Sequence, residues 1–353
     1  MAVADLQSRL AELDALVDPV HAGESERLQR DALAYREVER LPAINPSSDF
    51  AKASSDRPVR GWPTFPYSEA FHDPEKMLVN ELAGVYAGAV LKDDRVYTIR
   101  ANYGVGGIAS MFGCKISLTM NNMPWCEHLS DDGLLEVLDL ETDVAAGLGG
   151  RVFETERFYL EVLSEYSNLR NAVRIFVSDT QGPFDCAHLV IGHRIYTDIY
   201  DRPELVHRVL DKVTEAYIRF TKAQKAIIGE DNDSSCHSQI AISGGIRICE
   251  DSPTNISPAA YLEFCRPYNE RLLREFGGGW IHYCGNGHQI FPHVISTPGL
   301  TGINFGNPEM QDLSAVYQEA SHRGVGIVSW SGPFTPEDER SIKTGITLTK
   351  RPI

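Results

Sequence analysis

Gly277-Gly-Gly-Trp-Ile-His-Tyr-Cys-Gly-Asn-Gly-His288 is a short apolar run fenced by glycines, the pattern of a buried strand with a turn at each end. Strand side chains alternate with a period of two. Trp280, His282 and Cys284 therefore face one way, and Ile281 and Tyr283 the other. Two metal-capable side chains thus share a face at the C-terminal end of the strand. In a parallel barrel that end carries the chemistry.

Working outward, strand-like and helix-like stretches alternate along the chain. Residues 1–40 read as one or two amphipathic helices, and Leu41-Pro-Ala-Ile-Asn-Pro46 opens a sheet. Ser47 to Ser68, rich in proline, reads as a long irregular loop. A helix from Asp73-Pro74 to about Leu91 leads into the strand Arg95 to Asn102, whose polar face is Thr98, Arg100 and Asn102. The glycines after Tyr103 lack the spacing of a dinucleotide fingerprint.

Met111 to Leu118 reads as a strand, Pro124-Trp125-Cys126 as a loop, and Asp131 to Tyr166 as two helices. The strand Val173 to Ser178 ends in Asp179, and a long helix runs from Arg202-Pro203 to about Ile228. Gln239 to Ile248 reads as one strand ending in Cys249-Glu250-Asp251, followed by a helix capped by Ser257-Pro258. Leu300 to Phe305 and Val325 to Trp330 are further strands. Taking Pro42, Val96, Phe112, Val173, Ile240, Trp280, Thr301 and Val325 as strand positions gives about eight. That count predicts a (β/α)8 TIM barrel over 41–353 behind an N-terminal helical extension over 1–40.

Composition narrows the function. A 42% hydrophobic content in 353 residues supports a large core, and a net charge of -16 argues against binding a polyanion. Met1 to Arg27 lacks the unbroken apolar segment of a signal peptide, and no window reaches the roughly 20 apolar residues of a membrane span. Seven scattered cysteines read as reduced thiols, which predicts a cytoplasmic protein.

Several stretches together resemble the uroporphyrinogen decarboxylase superfamily: Asp179-Thr-Gln-Gly-Pro-Phe184 with Asp201-Arg-Pro-Glu-Leu-Val206, Ser257-Pro258 through Arg266-Pro-Tyr268, and Ile281-His-Tyr-Cys-Gly285. The resemblance spans roughly residues 40–330 and implies the barrel fold. The decarboxylases carry a Phe-Arg-Gln-Ala-Gly-Arg signature near their start, and nothing like it follows Leu41. The corrinoid-linked methyltransferase branch uses zinc held by His-x-Cys and a later cysteine. His282 and Cys284 match the pair, but no cysteine follows Cys284, and Ser329 and Ser331 stand where the last ligand would fall. The chain runs to Thr344-Gly-Ile-Thr-Leu-Thr-Lys-Arg-Pro-Ile353 without the closing helix of a barrel, which suggests a shortened C-terminus.

Zinc at His282 and Cys284 is expected to take a third ligand from His288, His237, Cys236 or Glu250; the alternative is a hydrogen-bonded histidine beside a buried thiol. Glu250, Asp251 and Asp179 are candidate acid–base residues, or turn formers. Arg100, Asn102, Tyr103, Arg247 and Trp62 are candidate substrate-binding residues, with an interior ion pair the plainer role for the arginines and core packing for Trp62. The resemblance implies a methyltransferase of a small substrate, a corrinoid carried by a partner protein, and a homodimer. A metal-free decarboxylase or lyase on a carboxylated substrate held by Arg100 and Arg247 is the second reading. A non-catalytic ligand-binding relative is the third.

Overall fold

The computed structural model describes residues 3–45, 61–118 and 124–349. The expected loop at Ser47 to Ser68 lies outside the described residues as far as residue 60. Among the described residues no helix is long and apolar enough to cross a membrane.

Among the described residues, eight parallel strands form the centre. Six make one continuous ladder in the order Ala43–Ile44, Ile346–Thr349, Gly326–Trp330, Leu300–Phe305, Gly279–Tyr283, Ile246–Cys249. Thr98–Arg100 and Arg174–Phe176 pair with each other. Single backbone bonds cross the two seams, from Asp94 N to Ala43 O (3.3 Å) and from Gly182 N to Cys249 O (2.7 Å). Helices cover the outside. The longest, Pro203–Ile228, begins on a proline and stops at Gly229 in the left-handed region (φ 73°). Its Val206, Val209, Leu210, Val213, Tyr217 and Phe220 form a buried stripe at helical spacing. Pro74–Leu91 starts where the Asp73 carboxylate accepts from the Glu75 and Lys76 amides.

The strand count holds, but two of its positions move. Phe112 caps the helix Gly107–Met111, and only Ile116–Ser117 is extended there, paired antiparallel with Trp125–Cys126 where the sequence reads as a loop. Gln239 to Ile248 is two structures: the second arm of a hairpin, Ser234–His237 with Ile240–Ser243, and then the barrel strand Ile246–Cys249. The hairpin turns through Ser238 (φ 46°) and Gln239 (φ 75°), a left-handed pair normally announced by Asn-Gly, so its signal was hidden. Ile346–Thr349, in the tail whose sequence suggests a shortened C-terminus, is the eighth strand. After Gly279–Tyr283 comes only the short helix Phe291–Val294, and after Leu300–Phe305 the 3₁₀ turn Pro308–Met310 precedes the helix Leu313–Arg323.

The hairpin closes the lower end of the barrel. Ile240 and Ile242 pack with Leu33, Ile44, Trp280 and Val328, and each such buried side chain contributes roughly 1.5–3 kcal/mol. Of the N-terminal helices, Pro19–Leu33 packs on this floor, while Val3–Leu16 packs on the flanking helices Pro74–Leu91 and Ser167–Ala172. The buried Gln29 amide donates to Asp94 O (2.6 Å) and Gln239 O (3.0 Å) and accepts from Ala241 N (2.8 Å). With the floor filled, the upper end is left for polar groups.

Candidate active site

Register decides which side chains meet at the mouth. Arg247 lies opposite Trp280, and Cys249 and Asn304 both lie opposite His282, so one rung carries a thiol, an imidazole and an amide. Ligating atoms of Cys249, Asp251 and His282 lie within 4.8 Å of one another, and among the described residues no other trio of His, Cys, Asp or Glu gathers as closely. Cys284 Sγ is 3.3 Å from His282 Nε2, and Asp251 Oδ1 is 3.8 Å from it. Metal bonds of about 2.0–2.3 Å place neighbouring ligands of a tetrahedral ion roughly 3.3–3.8 Å apart, so these spacings suit a zinc-sized ion.

The imidazole is oriented for that role. Asn304 Nδ2 donates to Val328 O (2.6 Å), which turns its Oδ1 toward His282 Nδ1 at 2.5 Å. Nδ1 therefore carries the proton and Nε2 presents its lone pair inward. Burial pushes His282 below the ordinary histidine range, Arg247 adds to that, and Asn304 and Asp251 oppose it. Burial pushes the Cys284 thiol up to about 11, with Asp251 reinforcing the shift. Cys249 rises well above its ordinary value by burial, against the pull of Arg247. Such thiols stay protonated until a cation displaces the proton.

Beside this rung stands a cationic clasp. Asp179 accepts from Arg100 (3.0 Å) and Arg247 (3.1 Å). Burial pushes the Asp179 carboxyl up, but the two guanidinium groups together outweigh it and hold the group well below the usual carboxylate range. Two cations and one anion leave one net positive charge. The guanidiniums rest on aromatic faces, Arg100 on Phe176 and Arg247 on Trp280.

The other predicted residues are distributed more widely. Asn102 is tied to Glu81, whose carboxylate accepts from Asn102 Nδ2 (2.9 Å) and the Arg100 amide (3.1 Å). The Tyr103 hydroxyl meets Thr155 Oγ1 (2.7 Å) on the helix Gly149–Ser164. Trp62 is buried against the helix Pro74–Leu91, donating to Val79 O and stacking on Tyr86. Glu250 is buried with its carboxyl against Gly182, and burial with Asp185 pushes it well above the carboxylate range.

Of the candidate third ligands, His237 packs between Phe176 and Trp280, Cys236 lies near Arg30, and His288 bonds to Met310 O. The structure instead brings Cys249 to the centre. Its place on the same strand face as Asp251 and Arg247 was the available signal. Ser329 is a bulge residue (φ 53°) whose amide donates to Thr347, and Ser331 lines an outer cavity of about 990 Å³ beside Trp330, Leu348 and Phe334. That cavity is lined by none of the charged or metal-capable residues of the mouth, and the chemistry favours the mouth. Sequence reasoning also missed Glu81, Asn304 and Asp185. Asp185 accepts from the Asp251 and Ser252 amides (2.9 and 2.8 Å), fixing the turn that carries Asp251.

The family model for uroporphyrinogen decarboxylase (URO-D) matches residues 107–327. Uroporphyrinogen decarboxylases of Xanthomonas euvesicatoria pv. vesicatoria (strain 85-10) and Xanthomonas axonopodis pv. citri (strain 306) are each 25% identical over 149 residues, covering 40% of this chain. The match spans 36% of the length of those relatives. A methyltransferase from Methanosarcina mazei superposes with a TM-score of 0.63 over 92% of each chain, at 16% identity, a likeness of fold.

Proposed function

The chain belongs to the uroporphyrinogen decarboxylase family, and from that premise we propose that it is an enzyme moving a methyl group between a small anionic substrate and a corrinoid or thiol acceptor. The observation that carries the reading is the meeting of Cys249, Asp251 and His282 at the barrel mouth, with Cys284 adjoining. His282 Nε2, Cys249 Sγ and an Asp251 oxygen would hold zinc, with Cys284 as a further donor. Bound zinc lowers the pKa of a coordinated thiol or heteroatom and so makes it nucleophilic at neutral pH.

The remaining chemistry belongs to the protein. Asn304 holds the His282 proton on Nδ1 and its lone pair on the centre. Asp251 Oδ1 accepts from the Cys284 amide (2.6 Å) and keeps that loop against the strand end. Arg100 and Arg247, with one charge in excess over Asp179, bind the anionic end of the substrate and orient its reacting atom. The corrinoid arrives on a partner protein.

The same clasp favours a second reading, a metal-free decarboxylase or lyase whose substrate carboxylate rests on Arg100 and Arg247. Elemental analysis of the purified chain separates the two. About one zinc per chain, lost in Cys249→Ser and in His282→Gln, supports methyl transfer. No metal in the parent chain, with activity on carboxylated substrates that vanishes in Arg100→Ala, supports the second.

A further inference from the structure

His188, at the end of the helix Pro183–Ile191, and His193, in the following 3₁₀ turn, place their rings side by side. His188 Nε2 and His193 Nδ1 are 2.9 Å apart. A third imidazole, His128, stands edge-on to His193 with ring centroids 6.2 Å apart. Gly192 makes the approach possible: a Cβ there would come within 2.8 Å of the His128 ring.

The lone pairs are set from behind. The His128 Nδ1–H donates to Leu189 O (2.8 Å), leaving Nε2 free. The Ser252 hydroxyl bonds to the Asp185 carboxyl, and Ser252 Oγ lies 2.7 Å from His188 Nδ1. With the hydroxyl proton committed to Asp185, Ser252 accepts from His188 Nδ1–H, and His188 Nε2 is left unprotonated. A carboxylate acting through a hydroxyl on the far nitrogen of an imidazole is the arrangement that orients metal-ligating histidines. Burial, His193 and His128 also push His188 down to about 4, so it is neutral at physiological pH.

We propose that His188 and His193 form a second metal site that takes a late divalent transition ion of octahedral or square-planar preference, such as Ni²⁺ or Cu²⁺. With His188 Nε2 unprotonated, the 2.9 Å contact is a hydrogen bond donated by His193 Nδ1–H, and an ion that displaces that proton, with imidazole–metal bonds of roughly 2.0–2.1 Å at a right angle, would hold the two nitrogens about as far apart as they already stand. The all-nitrogen donor set suits these ions better than calcium or magnesium. The exposed ring of His193 turns to share the ion, and solvent completes the shell. This site shares no donor with the zinc reading of the mouth.

Equilibrium dialysis of the tag-free chain against Ni²⁺, with the mouth first saturated with Zn²⁺, tests it. One Ni²⁺ per chain is expected. Binding weakens at least about tenfold in His193→Ala and in His188→Gln, weakens about 10–100-fold in Ser252→Ala, and is unchanged in Cys284→Ser. Quenching of Trp125, which is 59% exposed and edge-on to His128 at 6.1 Å, follows the same order. His193 is exposed, so its substitution leaves the packing intact. Unchanged Ni²⁺ uptake in both histidine variants, no uptake by the parent chain, or loss of uptake in Cys284→Ser would each overturn the proposal.

Discussion

Replacing Asp179 by Asn isolates the electrostatics of the clasp. Arg100, Asp179 and Arg247 keep only 16%, 15% and 14% of their side-chain surface exposed, so their charges are weakly screened. Removing one partner of a buried ion pair costs roughly 3–5 kcal/mol; the residual exposure points to the lower end, about 3 kcal/mol. At about 2.1 cal/mol/K of unfolding entropy per residue, a 353-residue chain then melts roughly 4 °C lower.

The pH dependence comes from the depressed carboxyl. Its folded pKa lies below its unfolded value of about 3.9, so its stabilisation is complete above about pH 5 and is lost as pH falls through the folded pKa. The gap between parent and Asp179→Asn is therefore full at neutral pH and narrows below about pH 4. Calorimetry of both proteins between pH 3 and 8 measures it. A variant that melts within about 1 °C of the parent at pH 7, or a gap that stays constant into acid, refutes the account of the clasp.

Asn304→Ala leaves His282 Nδ1 without its partner and is expected to weaken zinc binding about 10–100-fold, read by competition with a chromophoric chelator. Asp185 carries the opposite pH sign from Asp179: burial pushes it up to about 6, so its contribution falls as pH rises from about 4 to about 6. That slope is expected to disappear from the melting profile of Asp185→Asn. Trp62→Ala is expected to cost about 3–5 kcal/mol, seen as a lower denaturant midpoint, while ligand affinity at the mouth is retained. Gly182→Ala drives a Cβ to 2.6 Å from the Glu250 carboxyl carbon. We expect it to destabilise the chain by about 1–3 kcal/mol, and Glu250→Ala in the same chain to relieve much of that cost.

The sequence alone determined the order of strands and helices over most of the chain and the shared face of His282 and Cys284, because both arise from local periodicity. Side chains two apart on a strand must point the same way wherever the strand goes. The same reasoning directed Arg100 inward, and Arg100 does meet Asp179. Phe112 and Ile240 misled it because short apolar runs suit a helix turn or a hairpin arm as well as a barrel strand. Only the tertiary structure decided that Cys249 lies opposite His282 on the neighbouring strand, that Asp179 serves two arginines from different strands, and that Asn304 sets a histidine's tautomer. Those meetings depend on the register between strands, which is fixed by barrel packing and by the turn that Asp185 holds. No local pattern in the chain encodes that register.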